Sequence, residues 1–169
     1  VANIDEVIQL IRRAPDPRSR RGPPPASQDP RMQIRAAVRS AGDDHRATVA
    51  TDGRPTALAI AARPGGGSSV NGGELLCLAL ATCYCNDVYR EAARAGIAVR
   101  AVEVEVAAEF GGAGEPARRI AYSARVDADA TPGEIEALLQ HTDAVAEVHA
   151  TLRGGIAVER LAHPEPRGA

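Results

Sequence analysis

The chain of 169 residues carries a net charge of −2, and only 2% of its residues are aromatic. This length suits one domain with an appended segment, the charge provides no basic field for nucleic acid, and the shortage of rings disfavours base stacking. All 20 basic residues are arginine, so Schiff-base chemistry through lysine is excluded.

The first 31 residues predict an appendage to the domain. Residues 3–13, within a segment that we delimit as 1–14, have apolar positions at helical spacing and predict a short amphipathic helix. Residues 15–31 contain six of the twelve prolines together with several arginines, which predicts an extended linker. We find neither a secretory signal pattern nor an apolar run long enough to span a membrane, so we expect a cytoplasmic protein with no membrane partner.

Three short β-like runs follow, separated by turn signals. They are Met32–Arg39, Arg46–Ala50 and Thr56–Ala61. The Asp-Gly pair at 52–53 is a strong signal for a tight hairpin. A Gly/Ser-rich loop at 63–73 follows the third run. Because it lacks the lysine and the glycine spacing of a nucleotide-binding loop, we interpret it as a flexible connection.

A long helix is predicted over Glu74–Ala95. It would be about 33 Å long at the usual rise per residue. Its first half, up to Cys85, is apolar on every face except at Thr82. A helix with this pattern is buried all round. Since a small sheet cannot surround it, we expect a second subunit to cover its far side.

The last third of the chain predicts a hairpin, a helix and a strand. Alternating runs at Ala98–Phe110 and Arg118–Asp127 indicate the hairpin. Thr131 begins a helix through about Val145, because a proline and then a glutamate follow it at the spacing of a helix start. A final strand is expected at Ile156–Leu161.

These elements predict an α+β domain over residues 32–161. Their order is β-β-β-α-β-β-α-β, with a long buried central helix. The extra N-terminal helix precedes the domain, and a tail at 162–169 follows it.

Three cysteines, Cys77, Cys83 and Cys85, lie within nine residues of the long helix. Their helical spacing puts every pair out of disulfide reach and supplies too few ligands for zinc, so we predict no metal site. Free cysteines are usually small hydrophobes in the core. That interpretation stays open for all three.

Cys83 differs because it shares a helix face with charged side chains. The face consists of Leu80, Cys83, Asp87 and Arg90. An ionised Asp87 would raise the pKa of the thiol, whereas an arginine would lower it. Thiol chemistry therefore requires a guanidinium, either Arg90 released from Asp87 or one from the β region. Of the four histidines, His149 is the candidate of interest, because it lies in a compact segment before the final predicted strand.

Three stretches, in this order, resemble the OsmC/Ohr family. They are Asn71–Leu76 leading to Ala81-Thr82-Cys83, Gly96-Ile97 leading to Val102–Val106, and Val148–Ile156. The resemblance covers about Met32 to Leu161 and implies an intertwined homodimer in which two central helices cross between sheets. It further implies that organic hydroperoxides are reduced by a peroxidatic cysteine at the position of Cys83. A resolving cysteine after the second helix, and recharging by low-molecular-weight thiols or lipoylated proteins, complete the implied cycle.

The chain departs from the pattern of this family at the resolving position and at the start of the long helix. The resolving position corresponds to Ala146, followed by Glu147 where the family usually has proline. The internal disulfide of the usual cycle therefore cannot form. The family's glutamate at the start of the helix aligns with Gly73, one residue before Glu74.

The leading hypothesis is a one-cysteine thiol peroxidase without a cofactor. Cys83 would be oxidised by a hydroperoxide or related electrophile and resolved by an external thiol. The family's hairpin arginine aligns with Asp43, so Arg46, three residues later, or Arg90 would stabilise the thiolate. Cys85 lies on the opposite helix face and is reachable only from another molecule or subunit.

Two other functions stay open. An OsmC-like dimer that has lost its catalytic set could bind a small hydrophobic ligand in an apolar pocket between its subunits. Alternatively, residues 1–31 could recruit a partner while the dimer acts as a scaffold.

Overall fold

A computed structural model describes residues 32–42 and 44–160, apart from the side chain of Ala57. The predicted helix at 1–14, linker at 15–31 and tail at 162–169 lie outside the described residues. The described residues up to Ser69, together with residues 158–160, form one compact unit, the N-terminal unit. Val70–Ala157 form the second, the central unit.

The N-terminal unit contains three antiparallel strands. They are β1 (Ile34–Ala41), β2 (Asp44–Thr51) and β3 (Arg54–Leu58), hydrogen-bonded in that order. Asp52 and Gly53 join β2 to β3 with φ angles of 48° and 77°. Positive φ at both positions matches the twist of the two strands. The predicted hairpin is confirmed, and its second strand ends at Leu58 rather than Ala61.

The central unit begins with the long helix α1 (Gly72–Ala95). The Asn71 side chain accepts a hydrogen bond from the Glu74 N–H, and the Glu74 carboxylate accepts one from the Asn71 N–H. This reciprocal cap satisfies two backbone donors that the helix leaves free. Gly96, with φ of 72°, ends the helix. The helix is therefore confirmed and starts two residues earlier than predicted.

A hairpin and two helices complete the central unit. The hairpin consists of β4 (Val99–Phe110) and β5 (Ala117–Ala128), and the helices are α2 (Pro132–Val145) and α3 (Glu147–Arg153). Thr131 caps α2 as predicted. The core lies where α1, the hairpin and α2 meet, and it contains Tyr84, Val88, Ala92, Val126, Ala128, Leu138 and Ala146.

The predicted final strand at Ile156–Leu161 is wrong over the described residues 156–160, which are irregular. The short helix α3 follows α2 directly instead, so the order is β-β-β-α-β-β-α-α. Ile156 and Val158 have the β-branched side chains that are typical of strands, but they are 57% and 95% exposed. Such a segment forms a strand only where a neighbouring edge can satisfy the backbone hydrogen bonds.

The apolar first half of α1 is not fully covered by its own chain. Leu78 is 56% exposed, and the buried residues of the helix all lie from Leu80 onward. The single chain therefore leaves part of this half exposed, as expected for a helix that its own sheet cannot surround. The second subunit that we expected to cover this face stays a prediction.

Candidate thiol site

Cys83 lies near the middle of α1 with its side chain partly buried. Its Sγ donates a hydrogen bond to Oδ2 of Asp87 at 3.3 Å. The backbone N–H of Val148, in the first turn of α3, donates to the sulfur. Helical spacing brings Asp87 to the thiol, and the short link from α2 to α3 brings Val148. The thiol therefore has one acceptor and one donor.

Asp87 is shared between this thiol and a guanidinium. The Asp87 side chain is 4% exposed, and its Oδ1 accepts a hydrogen bond from Nη1 of Arg90 at 2.6 Å. Arg90 also donates to Oε1 of Glu91 at 2.7 Å and to Oε1 of Glu147 at 3.3 Å. The structure thus brings Cys83, Asp87 and Arg90 together on one helix face. Arg90 is bound to three carboxylates, however, rather than released from Asp87.

These surroundings favour the thiol over the thiolate. Burial raises the pKa of Cys83, the Val148 N–H opposes that rise, and the carboxylates of Asp87 and Glu147 add to it. Burial also raises the pKa of Asp87, against the hydrogen bond from Cys83 and the charge of Arg90. Within the described residues the sulfur contacts a carboxylate and an amide, and not a guanidinium.

Glu91 accepts a hydrogen bond from the guanidinium of Arg90. Its carboxylate is 3% exposed and also accepts a hydrogen bond from Nη1 of Arg94 at 2.8 Å. Nε2 of His141 lies 3.2 Å from the same carboxylate. The hydrogen bond from Arg90 is the main reason why the pKa of Glu91 falls to about 2. An ionic network therefore extends from the thiol, through Asp87 and Arg90, to the exposed edge of α2.

The same groups have the spacing of a cation site. The sulfur of Cys83 and carboxylate oxygens of Asp87 and Glu147 all lie within 4.8 Å of one another. Arg90 already bridges the two carboxylates. Their negative charge is therefore balanced by a side chain of the protein.

His149 belongs to an aromatic cluster in the core. Its ring centre lies 4.7 Å from that of Tyr122 and 5.4 Å from that of Tyr84. The residue is 4% exposed, and neither ring nitrogen has a hydrogen-bond partner among the described residues. Burial lowers the pKa of His149. This histidine therefore packs α3 against α1 and β5 in its neutral form.

Two predicted site residues, Glu74 and Arg46, have other contacts in the structure. Glu74 takes part in the cap of α1, and its place nine residues before Cys83 corresponds to about 13.5 Å along the helix axis. Arg46 lies on β2 in the N-terminal unit, where its Nε is 3.2 Å from Oδ1 of Asp44. Neither local contact was foreseen from the sequence.

The other two cysteines are also free thiols. Cys77 is partly buried, and no disulfide joins any of the three cysteines, as predicted from their spacing. Cys85 borders an open groove of about 260 Å³ whose other lining residues are Ala81, Thr82, Asn86 and Val104.

Two residues of the site were not identified from the sequence as contacts of the thiol. Ala146 is fully buried between α2 and α3, and it is followed by Glu147 and Val148, which both act on Cys83. The available signal was the alignment of Ala146 with a resolving cysteine, since a resolving group has to lie near the peroxidatic one. The helix α3, which brings Val148 to the sulfur, was not predicted.

Comparisons with known proteins support the fold. The family described as OsmC-like protein matches residues 65–160, more than half of the chain. An OsmC-like protein from Mycoplasma pneumoniae is 19% identical with a TM-score of 0.56, over 75% of this chain and 90% of that one. An OsmC-like protein of unknown function from Vibrio cholerae is 12% identical with a TM-score of 0.51, over 73% and 94%. An organic hydroperoxide resistance protein, OsmC, from Legionella pneumophila is 20% identical with a TM-score of 0.48, over 73% and 90%.

The fold and the site together define an α+β protein built around a helix that carries a thiol beside a buried ionic network. The chain belongs to the OsmC-like protein family. No curated protein matches the sequence significantly. Among the described helices, none has both the length and the hydropathy needed to cross a membrane.

Proposed function

We propose that this protein is a one-cysteine thiol peroxidase that reduces organic hydroperoxides or related electrophiles. The observation that carries the proposal is the pair of contacts at Cys83. Its sulfur has a proton acceptor in Asp87 and a backbone donor in Val148. A thiol that has to lose a proton and then bear negative charge needs both kinds of partner.

The proposed reaction oxidises Cys83 by two electrons. The thiolate attacks the terminal oxygen of the hydroperoxide, the O–O bond breaks, and a sulfenic acid and an alcohol form. A low-molecular-weight thiol or a lipoylated protein then condenses with the sulfenic acid and releases water. A second thiol group reduces the resulting mixed disulfide. Because Ala146 occupies the position of the resolving cysteine, both thiol groups come from outside the chain.

Either Arg90 or Arg46 stabilises the thiolate in this proposal. Arg90 already binds Asp87, the hydrogen-bond partner of the sulfur, so a shift of its guanidinium from Asp87 to the sulfur would supply the charge. Arg46 is 73% exposed and pairs with Asp44. Exposed ion pairs stabilise a protein by at most about 1 kcal/mol, so little free energy is needed to separate Arg46 from Asp44.

We also propose that the protein acts as a homodimer. The apolar first half of α1 supports this, because Leu78 is 56% exposed in the single chain. A second copy that covers this face would bury apolar surface at roughly 25 cal/mol per Å². It would also exclude water from the helix that carries Cys83.

The peroxidase proposal is tested by titrating the full chain with cumene hydroperoxide and weighing the intact protein. We expect one equivalent to add one oxygen atom rapidly to one thiol, and Cys83→Ser to abolish the addition. The matched controls Cys77→Ser and Cys85→Ser should retain it. Equal, slow oxidation of all three cysteines would overturn the peroxidase function.

A second candidate function is the binding of a small hydrophobic ligand by a catalytically inactive dimer. The raised pKa of Cys83, which follows first from burial, favours this alternative because it lowers the fraction of thiolate. Native mass spectrometry distinguishes the two functions. An apolar molecule retained by the dimer, together with an unreactive Cys83, would favour binding over catalysis.

A further inference from the structure

The proposed reaction requires a group that carries a proton from the thiol to the leaving alkoxide. Cys83 has to lose a proton to become nucleophilic, and the alkoxide released from the hydroperoxide has to gain one. Alkoxides are strong bases and leave poorly unless they are protonated as the O–O bond breaks. A group that accepts the first proton and supplies the second would serve both steps.

Asp87 has the geometry of such a carrier. Its Oδ2 lies 3.3 Å from the sulfur and accepts the hydrogen bond from the thiol. Its Oδ1 is held at 2.6 Å by Nη1 of Arg90. One oxygen is therefore fixed, and the other faces the proton that has to move. The Asp87 side chain is only 4% exposed, so water does not surround Oδ2.

Other titratable groups near the thiol are less well placed. Glu147 acts on Cys83 through its charge, is 65% exposed and binds Arg90. His149 is buried among aromatic rings, and its nitrogens have no hydrogen-bond partner in the described part of the chain. Asp87 is thus the titratable side chain with a described hydrogen bond to the sulfur.

We propose that Asp87 is the proton shuttle of this enzyme: its Oδ2 takes the proton from Cys83 and returns it to the departing alkoxide. This inference rests on the proposed peroxidase function. Burial raises the pKa of Asp87, which supports the proposal because it makes the carboxylate a better proton acceptor than a solvated one. Before the proton moves, Arg90 is a positioning residue, because it fixes Oδ1 and turns Oδ2 toward the sulfur.

The step balances without another reactant. The proton of Cys83 moves to Asp87, and the thiolate attacks the terminal oxygen of the hydroperoxide. The S–O bond forms as the O–O bond breaks, and the electron pair of that bond goes to the alkoxide. Asp87 then protonates the alkoxide. The products are a sulfenic acid on Cys83, an alcohol and the original carboxylate.

The test is the dependence of the rate on the leaving group, measured with two oxidants in a Cys77→Ser/Cys85→Ser background of the full chain. tert-Butyl hydroperoxide releases an alkoxide and needs the proton, whereas peracetic acid releases a stable carboxylate and does not. Asp87→Asn should slow the oxidation of Cys83 by tert-butyl hydroperoxide about 100-fold, as expected for loss of one acid–base group. Its rate with peracetic acid should be unchanged or higher.

A second measurement separates proton transfer from packing. Because ionised Asp87 raises the pKa of Cys83, Asp87→Asn should increase the thiolate fraction while it slows the reaction with the alkyl hydroperoxide. A purely structural role of Asp87 would slow both oxidants alike and would overturn the shuttle. An unchanged rate with tert-butyl hydroperoxide would overturn it too. Asp87→Glu, which keeps a carboxylate, should recover part of the lost rate.

Measurements on the unsubstituted protein keep the inference falsifiable if Asp87→Asn does not fold. With a shuttle, its rate should vary only weakly with leaving-group acidity across a series of hydroperoxides and peracids. A steep dependence would overturn the shuttle and leave the peroxidase function standing. No oxidation of Cys83 by any member of the series would overturn both.

Discussion

Glu147 influences the thiol without contacting it through a described hydrogen bond. Its side chain is 65% exposed and bound to Arg90, yet its charge raises the pKa of both Cys83 and Asp87. The residue stands where the resembled family usually has proline. A negative charge at this position works against the thiolate. Glu147 therefore adjusts how much of the cysteine is reactive at a given pH.

Substituting Glu147 by Gln should lower the pKa of Cys83, because one of the charges that oppose the thiolate is removed. The pH profile for alkylation of Cys83 by iodoacetamide, measured in a Cys77→Ser/Cys85→Ser background, should move to lower pH. Glu109→Gln is the matched control on exposed β4 and should leave the profile in place. An unmoved profile in the Glu147 variant would contradict this account of the site.

Part of this site follows from the sequence and part does not. The placement of Cys83, Asp87 and Arg90 on one face follows from helical periodicity alone. The approach of Glu147 and Val148 does not, because it depends on how α3 packs against α1. Periodicity within one helix contains no information on which distant segment covers it.

The three elements α1, β5 and α3 meet at an aromatic cluster. Tyr84, Tyr122 and His149 contribute one ring each. The hydroxyl of Tyr84 donates to the carbonyl of Leu139 at 2.8 Å, and that of Tyr122 donates to Asp143. The tyrosines are thus anchored to α2, while the imidazole is buried without such an anchor. Protonation of His149 would therefore place an unpaired charge in the cluster and destabilise it.

The free energy of unfolding should fall as the pH decreases through this histidine's titration. The pKa of His149 lies below its ordinary value of 6.5 because of burial, so the unfolded chain binds the proton more readily than the folded one. Stability is retained above about pH 6.5 and is lost as the pH falls toward and through the lowered pKa.

Urea denaturation of the unsubstituted protein and of His149→Phe at several pH values checks this expectation. Phenylalanine keeps a ring in the cluster but cannot be protonated. The variant should show a shallower loss of stability between about pH 7 and pH 5. Parallel pH dependences in the two proteins would show that His149 does not contribute to acid lability.

At the level of elements, the sequence predicted turns and helix caps correctly, but it did not predict correctly whether every strand-like segment pairs. The Asp52-Gly53 turn and the Thr131 cap each specify their backbone through neighbouring atoms, and both were predicted from the sequence. The strand predicted at Ile156–Leu161 has no strand edge to pair with among the described residues. Pairing depends on tertiary structure, so it could not be derived from that segment.

For the whole molecule, the exposed face of α1 determines the expected assembly. Leu78 is the apolar residue of this face with the clearest exposure, at 56%. Leu78→Glu should shift the protein from dimer to monomer in sedimentation velocity, because a charge in an apolar interface remains unpaired. Leu78→Met preserves apolar volume and should remain dimeric. Unchanged assembly of the glutamate variant would show that this face is not the interface.

The clustering of rings also gives the molecule an optical property. The chain has no tryptophan and only three tyrosines, and two of those tyrosines, Tyr84 and Tyr122, lie in the cluster formed with His149. The near-ultraviolet circular dichroism of tyrosine will therefore come largely from the packed interior between α1, β5 and α3. Because the backbone of Val148, the neighbour of His149, forms a hydrogen bond with Cys83, we expect oxidation of Cys83 to change this spectrum without an attached dye.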